Sequence, residues 1–136
     1  MAGSKYWMVN LIVFYKTNRQ KAPEMVKRIA YNTKVDIWSI GALCMEMAEG
    51  SPPYYSCKPL KALFLTATIG APSLKKPDRW SDSFKDFLKE CFQMDPLVRP
   101  SAEDLLKHAF FNRVCEKSEI IKALKLVFLM RVTAGL

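Results

Sequence analysis

The side chains that could do chemistry in this 136-residue chain are few and scattered. Its one histidine, His108, stands between Lys107 and Ala109 with no serine or cysteine arranged as a nucleophile, so it reads as a structural histidine at a helix end and not as a general base. Cys44, Cys57, Cys91 and Cys115 share no C-x-x-C spacing and have no histidine pair nearby, which argues against a zinc site and against a disulfide framework. They read as thiols of a reducing compartment, and the chain as cytoplasmic. Two carboxylates are better placed. Asp36 and Glu46 interrupt residues 35–48, which with Ser39 as the one other exception are small or apolar on every side of a helix. Taken alone, Asp36 reads as a helix cap and Glu46 as a buried helix glutamate satisfied locally. No catalytic and no metal-ligating residue is assigned.

The element that must position these carboxylates is a helix over 35–49, the centre of a mainly α domain. A helix without a solvent side needs packing all around it. At 1.5 Å per residue it is too short for a bilayer and suits a globular core. Thr33, three residues ahead of Asp36, is placed to cap it, and Gly50 followed by Pro52 and Pro53 stops it. Upstream, residues 9–15 are β-branched and aromatic enough for a strand, and Pro23 opens a short helical piece running to Ile29.

Downstream, Leu60, Leu63, Phe64 and Ala67 give a helix over 59–69 with Pro59 at its first position. Phe84, Phe87, Leu88 and Cys91 repeat that spacing over 81–93, with Ser81 or Ser83 as cap. Ser101, with Asp104 three residues on, caps a fourth helix whose inner face is Ala102, Leu105, Leu106 and Ala109. A final helix over 116–130 carries Ile120, Leu124 and Val127 on one side and Lys122 and Lys125 opposite. Met45, Met47 and the aromatic residues 84, 87, 92, 110 and 111 read as core.

The net charge of +8 is unevenly distributed. Residues 1–21 hold four bases and no acid, and residues 112–136 hold five bases against Glu116 and Glu119, which leaves the middle nearly neutral. No nucleic-acid-reading motif accompanies these basic ends, so no specific nucleic-acid partner is expected. The N-terminal run is read as a solvated arm. The basic stretch 120–131 is read as a helix packed on the domain with a frayed tail, in preference to one lying on a membrane or in a partner groove.

Five stretches then agree in order and spacing: Ala22-Pro23-Glu24, Asp36-Ile37-Trp38-Ser39-Ile40-Gly41, Glu49-Gly50-Ser51-Pro52-Pro53-Tyr54, Asp95-Pro96-x-x-Arg99-Pro100, and Leu105-Leu106-Lys107-His108-Ala109-Phe110-Phe111. Together they resemble the back half of a protein kinase C-terminal lobe. The stretches 34–39, 59–63 and 84–88 look most like PAK-like members of the sterile-20 group of serine/threonine kinases. The resemblance implies a helical C-lobe subdomain over 22–111, a partial activation segment over 1–21 and a C-terminal helix and tail over 112–136.

It also implies roles. Glu24 pairs with Arg99 in a largely buried bidentate contact, Asp36 accepts hydrogen bonds from the catalytic loop, Trp38 packs near Pro23, and Gly41 belongs to the same central helix. Glu46 matches the position that meets an arginine of the substrate peptide. Ser4, Tyr6 and Trp7 fall in the segment that seats the residue after the phosphoacceptor, since Gly3-Ser4-Lys5-Tyr6-Trp7-Met8 is similar to G-T-P-Y-W-M. Thirteen residues, 9–21, then intervene before Ala22-Pro23-Glu24, where the family continues directly. Lys5 replaces the family's proline.

These 136 residues contain no Gly-rich loop, V-A-I-K lysine, H-R-D-x-x-x-x-N loop or D-F-G. The resemblance therefore implies a truncated kinase domain, inactive alone, with ATP and magnesium expected only for the full-length enzyme. The alternatives are a non-catalytic decoy that docks substrates or regulators through helices 59–69 and 81–93, and a basic membrane-surface protein.

Overall fold

The computed structural model describes residues 20–133, which form helices joined by turns, with no strand among them. The expected strand over 9–15 and the residues Ser4, Tyr6 and Trp7 lie outside the described residues. In chain order the helices are α1 (Pro23–Val26), α2 (Lys34–Glu49), α3 (Pro59–Thr68), α4 (Asp82–Cys91), α5 (Ala102–Leu106) and α6 (Lys117–Thr133), with 3-10 turns at Pro77–Arg79 and Ala109–Arg113.

Pro23 starts α1, whose end is set by Arg28 at φ 56° and by the Ile29 amide donating back to the Glu24 carbonyl. At the start of α2 the Thr33 side chain makes no capping hydrogen bond. The cap comes from Asn32, whose Oδ1 accepts from the Lys34 amide at 3.0 Å, because Thr33 already has helical backbone angles. Gly50, at φ 71°, ends the helix in the left-handed conformation that a residue with a Cβ adopts at a cost.

The core sits where α2 crosses α4. Ile37 and Met45 of α2 pack with Phe84, Phe87, Leu88 and Cys91 of α4, and Leu74 and Leu105 close the ends. The spacing of Phe84, Phe87, Leu88 and Cys91 thus lies on the buried face of α4, and Ser81 Oγ caps it by accepting from the Phe84 amide at 3.2 Å. Ser101 and Asp104 form a reciprocal capping box at α5, and the hydrogen bonds from Ser101 hold the Asp104 carboxyl below its ordinary pKa.

Several packing expectations are corrected. Although α2 is apolar all round, the described elements cover it on one side only, and Ile40, Leu43 and Met47 are exposed while Met45 is buried. On α3 the ends of the apolar stripe face outward: Leu60 is 81% and Phe64 64% exposed, and the buried residues are Ala62 and Thr66. Small inward residues suit the packing of α3 against the short α1. Only Leu105 of the expected α5 face is buried; Ala102, Leu106 and Ala109 are exposed, because the helix ends after Leu106 and the chain turns into the 3-10 segment. Phe111 is exposed too, packing edge-on against Phe87. Finally, α6 does not lie on the domain, and all its described side chains are exposed.

Candidate functional site

The charged centre of the domain is the Glu24–Arg99 pair. Both side chains are inside, Glu24 at 2% and Arg99 at 0% exposure, and the guanidinium meets the carboxylate as a fork: Nη1 to Oε1 at 2.7 Å and Nη2 to Oε2 at 3.1 Å. Two further N–H groups are also used. Nη1 donates to the Lys34 carbonyl at 2.8 Å and Nε to the Gln93 carbonyl at 3.0 Å, so Arg99 ties α1, the start of α2 and the end of α4 to one point. Burying such a pair costs hydration, and the four hydrogen bonds of the guanidinium are what make the burial tolerable. The guanidinium also lies over the Trp38 ring, 5.2 Å from its centroid.

Trp38 is 2% exposed and shares a cluster with Ala22 and Val35, next in sequence to the buried Pro23. Its ring meets Phe92 edge-on at 5.0 Å. Gly41, one turn further along α2, faces the end of α4 closely. A Cβ at this position would stand 2.6 Å from the Cβ of Cys91 and 3.1 Å from the Phe92 ring. Since the Cys91 Cβ moves only with its backbone, a methyl group here must push the two helices apart. Gly41→Ala is expected to destabilise the fold by about 1 kcal/mol, because overpacking of about 1–3 kcal/mol exceeds the helix-propensity gain of about 1 kcal/mol. Urea unfolding monitored by tryptophan fluorescence reads the sign, and a gain in stability would show that α2 and α4 separate freely.

The two carboxylates of α2 have different surroundings. Asp36 is exposed; its amide donates to the Thr33 carbonyl at 3.1 Å, and its carboxylate accepts no hydrogen bond from the described residues. Glu46 is half-buried and accepts from the Gln20 side-chain amide at 3.2 Å. The hydroxyl of Ser39 donates to the Gln20 carbonyl at 3.1 Å, so Gln20 is strapped along the helix at two points. Asp36 and Glu46 are thus not brought to one centre; Asp36 stands near the N-terminal end of α2 and Glu46 near the C-terminal end.

His108 has both ring nitrogens engaged: Nδ1 accepts from the Phe110 amide at 3.1 Å and Nε2 faces Asp86 at 3.2 Å. The proton of the neutral ring therefore belongs on Nε2. All four cysteines are free thiols. Burial, with a smaller contribution from Cys44, pushes the Cys91 thiol up to about 12, so it stays protonated at neutral pH. Among the described residues no group of histidine, cysteine or carboxylate side chains is arranged to hold a metal.

The bidentate tie, the tryptophan beneath it and the close helix crossing at glycine occur in the order of the sequence motifs, and residues 5–111 match the family model described as "Protein kinase domain". The chain belongs to the protein kinase family. It is 44% identical over 124 residues to the serine/threonine-protein kinase pakB of Dictyostelium discoideum, covering 91% of this chain and 13% of pakB. With pakC of the same organism the identity is 44% over 119 residues, covering 88% of this chain and 22% of pakC. With CLA4 of Eremothecium gossypii it is 45% over 125 residues, covering 92% and 14%. The chain spans 13–22% of the length of these relatives. Its kinship is PAK-like, and its helical architecture is that of a kinase C-lobe.

Within this kinase lobe the sequence does not reveal the Lys34 and Gln93 carbonyls that also accept from Arg99, because backbone acceptors carry no side-chain signature. The Gln20 strap was likewise missed. Phe92, read as core, is partly buried and packs against both core clusters.

Proposed function

We propose that this chain is the helical part of the C-lobe of a PAK-like serine/threonine kinase, and that it does not transfer phosphate by itself. In the complete enzyme the γ-phosphate of ATP passes to a serine or threonine hydroxyl of a protein, with ATP and magnesium held by segments that these 136 residues do not contain. The observation that carries the reading is the buried, bidentate Glu24–Arg99 tie together with an exposed Asp36. This chain offers a braced platform, and Asp36 is the acceptor on which the catalytic loop would be mounted. Glu46 would exchange the Gln20 amide for the guanidinium of a substrate arginine. The four free thiols fit a cytoplasmic protein.

Incubation of the purified chain with magnesium, γ-labelled ATP and a basic serine-containing peptide is expected to give no transfer above a boiled control. Transfer above that control would overturn the reading.

A second reading is supported by the exposure of Leu60 and Phe64 on α3. In it the chain is a non-catalytic module that docks kinase substrates or regulators through α3 and the neighbouring α4. It requires that a protein substrate of PAK-group kinases bind the chain and that Phe64→Asp remove the binding; retention by the variant excludes it.

A further inference from the structure

We infer that the cavity between α2, α4 and the residues after α3 takes a free fatty carboxylate, with the acyl chain inside and the carboxylate on Lys89. The cavity measures about 690 Å³, within the range of about 300 to 1,000 Å³ that ligand pockets occupy. Its wall is drawn from three parts of the chain: Met45 from α2, Leu88 and Phe92 from α4 and its cap, and Ile69, Leu74 and Met94 from the connecting segments. Met45, Leu74 and Leu88 are buried, Phe92 and Met94 are half-buried and Ile69 is exposed, so the apolar lining runs from the core out to the surface. The two methionines, unbranched and polarizable, give it an adaptable wall that suits a flexible chain.

The charge at the cavity selects the head of the ligand. Lys85 and Lys89 stand one turn apart on α4 and both border it, against Asp95 as the acid. Asp95 turns an oxygen to its own chain, Oδ1 accepting from the Leu97 amide at 2.8 Å, and Lys85 is held by Asp82 at 2.7 Å. Lys89 is exposed and forms no ion pair with a described residue. A lysine stem lies along apolar surface while its ammonium stays in water, which is where the head of a chain seated in the cavity emerges. A carboxylate there answers Lys89 with a charge-assisted hydrogen bond, whereas an alkylammonium meets two cations and a neutral head leaves the charge unanswered. An apolar side chain of a protein partner is the poorer occupant, because a single side chain fills only part of such a volume. Occupation is felt at Trp38, since Phe92 both lines the cavity and meets the Trp38 ring edge-on at 5.0 Å.

The test is calorimetric titration of the full chain with decanoate, decanol and decylammonium, each below its micelle concentration. Decanoate is expected to bind once per chain, to shift the tryptophan fluorescence, and to raise the urea midpoint as a ligand of the folded state does. Decanol and decylammonium should bind about tenfold more weakly, the discrimination lost with a hydrogen bond to a charged group. Lys89→Glu is expected to weaken decanoate by about tenfold or more and to strengthen decylammonium. Ile69→Glu places an acid at the apolar mouth and should also weaken decanoate. Both positions are exposed, so an unchanged urea midpoint without ligand shows the fold intact. Equal affinity for decanol would assign the cavity to neutral apolar groups and overturn the inference. So would no binding, several decanoates per chain, or decanoate binding indifferent to Lys89 or to Ile69.

Discussion

Arg99→Met is expected to lower the urea midpoint of unfolding by about 2 to 3 M. Methionine fills a similar volume and donates nothing, so Glu24 is left as an ionised carboxylate at 2% exposure with neither cation nor donor in the fork. Breaking a buried pair in this way costs about 3 to 5 kcal/mol, against a denaturant slope of about 1.5 kcal/mol per M for a domain of this size. The Lys34 and Gln93 carbonyls lose their donors in the same substitution. The double variant Glu24→Met with Arg99→Met separates these contributions. With both charges gone, its loss should be smaller than that of Arg99→Met alone, yet still measurable, because the two carbonyls remain unpaired. A midpoint shift below about 0.5 M for Arg99→Met would mean that the tie contributes little to stability.

Phe87→Ala is the second substitution with a large expected effect. The ring is 1% exposed and is the seat on which the segment after α5 rests, with Phe110 at 4.8 Å, Phe111 at 5.5 Å and His108 at 5.7 Å between ring centroids. Truncating a buried phenylalanine to alanine costs about 3 to 5 kcal/mol, as lost transfer free energy and as the cavity left behind. Here the loss should be local as well as global. Hydrogen exchange is expected to accelerate first in residues 105–113, which lose their common contact, and only later in α2. Uniform acceleration across α2 and residues 105–113 would show instead that the segment after α5 and the central helix unfold as one unit.

How much of this was legible in the sequence depends on which residue is asked. Phe84, Phe87, Leu88 and Cys91 gave the buried face of α4 because their period is helical and the intervening residues are charged. Gly50 and the Ser101–Asp104 box were legible for a different reason: backbone punctuation is chemistry local to a few residues. The exposure of Leu60 and Phe64 was not legible, because an apolar stripe says that a face avoids water, and not whether this chain supplies the cover. The exposed side of α2 and the whole of α6 carry the same ambiguity. Thr33 was misread for a subtler reason, since the cap depends on backbone angles that shift the role to Asn32. The Glu24–Arg99 contact spans 75 positions and was visible only through family resemblance, since no local period links the two. Gly41 carried no sign of how near Cys91 would come, a fact of helix crossing alone.

That separation of 75 positions also bears on how the chain is made. The lobe cannot lock until Arg99 has been synthesised, and at roughly 5 to 20 residues per second Glu24 waits about 4 to 15 s for its partner. Until Cys91 has been added α2 lacks α4, and until Arg99 has been added it lacks the tie, so its apolar surface is open to whatever else is near the ribosome. Chaperone occupancy on the nascent chain should therefore rise once α2 has emerged and fall once Arg99 has, which makes one arginine the latch that ends the chain's most vulnerable period.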